Sequence, residues 1–224
     1  MVFLREDSHM SLIYSRQESL DLSFPKVAIV GCGGVGTWVA IYSAMGGVPS
    51  IKLFDRDTIE IHNLNRLPYS MDALGKKKVH ALRDYIIRIR PNIQVFAFDA
   101  RLTRNNATLL QDCPIVFDCT DSSRSHRLLE SLWDDGYFNV LIRASYDGEH
   151  ITLAKNFHLE KASWGDDLEG YQIVPSWVVP ASFVAQMACF LAYSSSSPPI
   201  YLLSRSLGDV CSILRSIGNG DRND

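Results

Sequence analysis

Short, mostly apolar runs alternate along this chain with longer runs whose apolar residues recur every three or four positions. KVAIV (26–30), SIKLF (50–54) and PIVFDC (114–119) are of the first kind. They are rich in β-branched residues and bounded by Gly, Pro or Asp, the pattern of strands covered on both faces of a parallel sheet. IQVFAFD, NVLIRAS and HITLAK read as further strands, the last two joined by the turn YDGE, and PIYLLSR as a final one. The second kind includes TWVAIYSAMGG, which stops at Gly46-Gly47. GKKKVHALRDYIIRIR (75–90) places Val79, Leu82, Ile86 and Ile89 on one helical face, leaves a basic outer face and ends at Pro91. LTRNNATLLQDC, SRSHRLLESLWDD and ASFVAQMACFLAY, the last opened by Pro180, complete the helices. Strands alternating with helices predict an α/β, doubly wound, Rossmann-like fold with a mainly parallel sheet and helices on both faces.

The pattern also sets the expected organisation. Residues 1–24 form an N-terminal arm, 25–155 a nucleotide-binding unit, 156–204 a crossover loop with the last helix and strand, and 205–224 a tail. Residues 156–179, with Trp164, Gly165, Gly170, Pro175 and Trp177, lose periodicity, and loops of that length in compact domains are often functional. SSSSPP interrupts the chain at low complexity, and GNGDRND reads as disordered.

Composition narrows the classes. A chain of 224 residues that is 46% hydrophobic supports one compact domain with ample core. A net charge of -3 and a pI near 6.1 give no overall pull toward nucleic acid or anionic membrane. No run reaches the roughly 18 apolar residues of a membrane span. The five cysteines form no CxxC pair and no secretory leader is visible, so the expected setting is reducing and cytoplasmic.

Candidate chemistry begins at the first strand. Gly31-Cys32-Gly33-Gly34-Val35-Gly36 fits G-x-G-x-x-G between a strand and a helix, where backbone N–H groups cradle phosphate. Asp55, about 20 residues on at the end of the second strand, suits a ribose hydroxyl. So far NAD and ATP fit equally. The stretch FDRDTIEIHNLNR (54–66) and the following lysines tilt the balance. Asp57, Asn63, Asn65, Arg66 and Lys76–Lys78 crowd cations and amides near the nucleotide, as charge developing on phosphorus requires. Two of the three lysines fit equally well on a solvated helix face. Asp121, after the strand PIVFDC, belongs at the same sheet edge, where it would hold Mg²⁺ on a triphosphate or cap the next helix.

Taken in order, Y-S-R-Q (Tyr14–Gln17), G-C-G-G-V-G, F-D-R-D, N-L-N-R (Asn63–Arg66), G-K-K-K (Gly75–Lys78), R-P-N-I (Arg90–Ile93) and D-C-T-D (Asp118–Asp121) resemble the ubiquitin-activating superfamily. Within it they are most similar to the compact bacterial adenylyltransferases of the ThiF/MoeB/HesA group, found in biosynthetic operons and in ubiquitin-like conjugation or defence operons. The resemblance covers residues 14 to about 155. It implies that the C-terminal glycine carboxylate of a ubiquitin-like protein attacks the α-phosphate of ATP and releases pyrophosphate. It further implies ATP and Mg²⁺ as cofactors. Gly34 would approach the phosphates, and Asp55 would hold the ribose. Asn63, Arg66 and Lys78 would bind the triphosphate, and Asp121 the metal. Arg16 would reach the ATP of a second subunit in a homodimer. A conjugating enzyme or a sulfur-transfer partner would take the product. Asp57 stays open between a metal-side acid and a turn residue.

Two departures accompany the resemblance. The CxxC pairs that bind zinc in many relatives are absent, and residues 156–179 hold no cysteine for a thioester. Cys32, Cys113, Cys119 and Cys189 read as packed, and Cys211 as the least constrained. Adenylation alone is therefore the expected activity. A tRNA or peptide as the group acted on, an NAD(P)-dependent oxidoreductase, and a non-catalytic scaffold are the competing readings.

Overall fold

A computed structural model describes residues 12–158, 175–210 and 212. Trp164, Gly165, Gly170, Cys211 and the tail from 213 onward lie outside the described residues.

Seven strands form one sheet: β1 (Val27–Val30), β2 (Ser50–Phe54), β3 (Gln94–Phe98), β4 (Ile115–Asp118), β5 (Val140–Asp147), β6 (His150–Lys155) and β7 (Tyr201–Ser206). Their order is β3-β2-β1-β4-β5-β6-β7. β1 to β5 run parallel, and β6 and β7 continue the sheet antiparallel. This is the expected doubly wound, Rossmann-like α/β fold with an antiparallel extension.

Among the described residues, four long α-helices cover the sheet: α1 (Gly34–Gly46), α2 (Lys78–Ile89), α3 (Ser123–Asp134) and α4 (Val178–Tyr193). Alternation along each strand divides the core in two. Val27, Ile29, Ile51, Leu53 and Phe117 face α1, α2 and α4, whereas Ala28, Val30, Phe54 and Val116 face α3 and the 3-10 helix Arg104–Leu110. Successive strand side chains point to opposite faces, so a strand lined by apolar residues on both must lie between two layers.

Two helix starts differ from the pattern-based expectation. α2 starts at Lys78 rather than Gly75, because Gly75 to Lys78 bond to residues 57–59: Gly75 N–H to Ile59 O (2.9 Å), Ile59 N–H to Lys76 O (2.9 Å) and Lys78 N–H to Asp57 O (3.0 Å). α4 starts at Val178, two residues before Pro180. A proline in the first turn removes an N–H that would have had no helical partner. The short helix expected within LTRNNATLLQDC is the 3-10 helix Arg104–Leu110.

The architecture creates one edge that matters. Val30 pairs with Phe54 on one side and with Asp118 on the other. The next residues, Gly31, Asp55 and Cys119, therefore emerge side by side, at a strand spacing of roughly 4.8 Å. The chain leaves β1 for one face of the sheet and β4 for the other. The crevice between them is where such sheets bind ligands.

Candidate active site

The glycines of the phosphate loop meet different demands. Gly31 has φ +90° and donates its N–H to Phe54 O at 2.8 Å; a Cβ on it would lie 2.6 Å from Cys119 O. A Cβ on Gly36 would lie 1.8 Å from Gly31 O. These two make the tight turn and the close approach of helix to strand. A Cβ on Gly34 would meet the Tyr146 hydroxyl at 3.0 Å and Arg66 Cδ at 3.1 Å. Gly33, the N-cap of α1, has nothing within 4 Å of its missing Cβ. Its open side lies at a helix N-terminus, where an anion is favoured.

Asp55 is anchored without being consumed. Its Oδ2 accepts the Cys32 N–H (2.7 Å) and its Oδ1 the Asp57 N–H (2.8 Å). Each carboxylate oxygen keeps a further acceptor position for a hydroxyl. The bonds between 57–59 and 75–78 then bring Lys78 back to the same edge. Its ammonium lies 3.1 Å from Asp57 Oδ2, with the lysine side chain 12% and the aspartate 59% exposed. Lys77 pairs with Asp99 at 3.1 Å and bonds Arg56 O, and Lys76 is exposed. Lys78 is thus the lysine that this fold directs inward.

Beyond that ladder, Asn63 is buried, and its Oδ1 accepts the Glu60 N–H at 3.1 Å. Asn63 O accepts the Arg66 N–H at 3.1 Å. Trp38 of α1 donates its indole N–H to Arg66 O (3.0 Å), which ties the turn to the phosphate-loop helix. The Arg66 guanidinium rests on His62 O (2.8 Å) and Asn65 Oδ1 (3.0 Å) at the surface. Asn65 donates to Ser176 O at 2.6 Å, so the segment leading into α4 crosses beside Arg66.

Asp121 is exposed and has no hydrogen-bond or ion-pair partner among the described residues. It does not cap α3, whose N-cap is Ser122 without a side-chain cap bond. A free carboxylate near the crevice suits a Mg²⁺ that also binds phosphate oxygens. Among the described residues, no group of three His, Cys, Asp or Glu could hold a metal by itself.

Arg16 lies elsewhere. Tyr14 packs against Gly47, and Gln17 donates to Gly46 O at 2.7 Å, so the arm sits at the C-terminal end of α1. The phosphate loop is at the other end of that helix, roughly 18 Å away at 1.5 Å per residue. Arg16 is exposed and is not brought to its own chain's site.

The four thiols among the described residues are poor nucleophiles. Burial pushes Cys189 up to about 12 and Cys113 up to about 11, and it raises Cys32 and Cys119 as well. A buried, protonated thiol neither attacks nor accepts an acyl group readily.

Two features escaped the sequence. Tyr146, beside Gly34, carries no motif signal. Asp118 proves to be fully buried against His126 and Arg143. The arginine within the apolar run NVLIRAS was the available clue, since a buried charge needs a partner.

Residues 7–133 match the ThiF family. The chain belongs to that family. The molybdopterin-synthase adenylyltransferase of Escherichia coli (strain K12) is 38% identical over 111 residues, which are 49% of this chain and 44% of that protein. The adenylyltransferase and sulfurtransferase UBA4 of Meyerozyma guilliermondii is 31% identical over 128 residues, 56% of this chain and 30% of that protein. Similarity thus spans less than half of each of these relatives. Among solved structures, Escherichia coli MccB with ATP superposes at a TM-score of 0.64 and 19% identity, covering 88% of this chain and 66% of that one. At that identity the superposition speaks for the fold of this ThiF family chain alone. No helix among the described residues is long and apolar enough to cross a membrane.

Proposed function

We propose that this chain is an ATP-dependent adenylyltransferase that activates the C-terminal glycine carboxylate of a ubiquitin-like protein. The observation that carries the reading is the gathering at one sheet edge of the open side of Gly33, the anchored Asp55, the inward Lys78, Arg66 and Asp121, which has no partner among the described residues. A hydride-transfer enzyme has no use for the last three.

In the proposed reaction a carboxylate oxygen of the protein substrate attacks the α-phosphorus of ATP. The bond from that phosphorus to the bridging oxygen breaks, and pyrophosphate leaves with the electron pair. Asp55 receives the ribose hydroxyls on its remaining acceptor positions. The backbone N–H groups at the start of α1 and the side chains of Asn63, Arg66 and Lys78 bind the phosphates and offset the charge that builds in the transition state. Asp121 would hold Mg²⁺, which supplies charge neutralisation on the phosphate oxygens when bound.

Arg16 acts in a neighbouring subunit, in a homodimer. Its distance from its own phosphate loop supports this reading. So does the outer side of the α1 and α4 pair, which carries Trp38, Tyr42, Met45, Val179 and Phe190 as a largely apolar face. The two helices meet through Tyr42 Oη and Ser182 Oγ at 2.7 Å. A second copy of this chain is the occupant that would bring a second Arg16.

The test is pyrophosphate–ATP exchange with a panel of small proteins ending in glycine. Exchange that depends on one such protein, and on its free terminal carboxylate, is the expected result. Exchange supported instead by a peptide or a tRNA would replace the substrate class. ATP binding without exchange for any candidate would overturn the adenylation reading.

A further inference from the structure

Beneath the candidate site lies a set of buried polar groups to which adenylation assigns no direct part. Asp118, the last residue of β4, is fully buried. Its Oδ2 accepts from Arg143 Nε at 2.9 Å and lies 2.7 Å from His126 Nδ1. An ionised carboxylate only accepts, so that ring nitrogen carries its proton toward Asp118. Oδ1 accepts the Thr120 hydroxyl at 2.9 Å and the Thr120 N–H at 3.3 Å. Arg143, paired in register with Asp118 on β5, also reaches Glu130 Oε1 at 2.9 Å and His126 O at 3.3 Å. β4, β5 and α3 are thereby joined through one carboxylate.

A buried ion network of this kind adds little stability over well-packed apolar side chains, because desolvation offsets the attraction. Its distinctive effect is geometric. Asp118 grips the turn 119–121 from below by two bonds to Thr120, the residue before Asp121. The other side chains of that turn add no comparable hold: Asp121 has no partner among the described residues, and Ser122 makes no cap bond. We propose that Arg143 and His126 are positioning residues which, through Asp118 and Thr120, set the orientation in which the Asp121 carboxylate meets the divalent cation accompanying ATP. This inference rests on the adenylation reading above and adds to it the means by which its metal-side acid is held.

The test is equilibrium binding of ATP to the full chain by calorimetry, in Mg²⁺ and in EDTA, with thermal melting as the control for folding. In the wild type Mg²⁺ strengthens ATP binding. Thr120→Val removes the hydroxyl bond to Asp118, and with it the 3.5 Å contact of that hydroxyl with His126 Nδ1, while the Thr120 N–H bond and the Arg143 and His126 bonds to Asp118 stay in place. It keeps the metal-free affinity and loses roughly three- to tenfold of the Mg²⁺-dependent gain, the range of one hydrogen bond. Thr120→Ser restores it. Arg143→Lys, which keeps the charge but not the fork, shifts the gain in the same direction. Should Arg143→Lys fail to fold, Thr120→Val and Thr120→Ser decide the matter. An unchanged Mg²⁺ gain in Thr120→Val, or an equal fall with and without metal, overturns the proposal. A wild type that binds ATP without any Mg²⁺ gain overturns it alone. A wild type that does not bind ATP removes the adenylation reading and this inference together.

Discussion

Gly33 and Gly36 stand three residues apart in the same loop, yet alanine at each has opposite consequences. At Gly36 the new methyl would lie 1.8 Å from the Gly31 carbonyl oxygen, a backbone atom that cannot turn aside. The first turn of α1 must then lift from β1, and a core overpacked in this way loses about 1–3 kcal/mol or more. At Gly33 the methyl meets nothing within 4 Å. Its φ of -78° is open to any residue. Alanine is a poorer N-cap than glycine by roughly 0.5–1 kcal/mol, whereas the loss of unfolded-chain freedom returns about 0.4–1 kcal/mol. The net change in stability is therefore close to zero. The open volume is the one the phosphates are expected to fill, so Gly33→Ala should weaken ATP by at least ~tenfold, or ~1.4 kcal/mol. Thermal melting of the unliganded variants and calorimetric titration with Mg·ATP measure the two quantities separately. A Gly33→Ala protein that melts normally and binds ATP as the wild type does would refute the placement of phosphate at this loop.

Arg16→Ala and Arg66→Ala are each expected to lose pyrophosphate exchange by roughly 10²-fold, the scale of one transition-state donor. Mixed after subunit exchange, they should regain about a quarter of wild-type activity, since half the dimers pair the two variants and each of those has one intact site. No recovery would place Arg16 outside the partner's site. Asp57→Asn should change stability by less than ~1 kcal/mol, because its pair with Lys78 is largely exposed on the acid side. It should leave the affinity for Mg·ATP unchanged or higher, whereas a fall of about tenfold would make Asp57 a metal-side acid. Arg143→Met should cost about 3–5 kcal/mol at neutral pH, because it strands a buried carboxylate. Burial by itself would raise the Asp118 carboxyl, but His126 and Arg143 outweigh it and hold the group well below the usual carboxylate range. Its folded value lies below the unfolded one of about 3.9, so this stabilisation is complete above that pH and is lost as pH falls below it. The gap between wild type and variant in urea unfolding should therefore narrow in acid, and a gap of constant size would refute the assignment.

Much of the fold could be read from the sequence because each signal was local. β1, the glycine loop and α1 announce themselves within 22 residues through an apolar run, the glycines and a stop at Gly46-Gly47. The central strands β1 and β4 were visible for the same reason: buried along their whole length, they are almost wholly apolar. What escaped was set by contacts distant in sequence. The three-residue delay of α2 comes from the bonds of residues 57–59 to 75–78, which no periodicity encodes. The Asp118–Arg143 pair spans 25 positions and follows from the parallel register of β4 with β5. The resemblance pointed to Asp121 but not to what supports the turn beneath it. Asn63, Arg66 and Lys78 were legible as chemistry, but only the fold shows that Lys77 is occupied with Asp99 while Lys78 is directed to the site edge.

Helix α1 begins at the phosphate loop and ends under the docked arm, where Gln17 holds Gly46 O and Tyr14 packs on Gly47. In the proposed dimer this single rigid rod would have one end in its own chain's nucleotide site and the other beneath the arginine serving its neighbour. Two such rods would cross-link the two reaction centres mechanically. A shift of α1 when one site fills would be delivered, undamped by any flexible linker, to the finger of the other. Titration of the dimer with ATP would then show unequal sites, and uncoupling the arm with Gln17→Ala would make them equal.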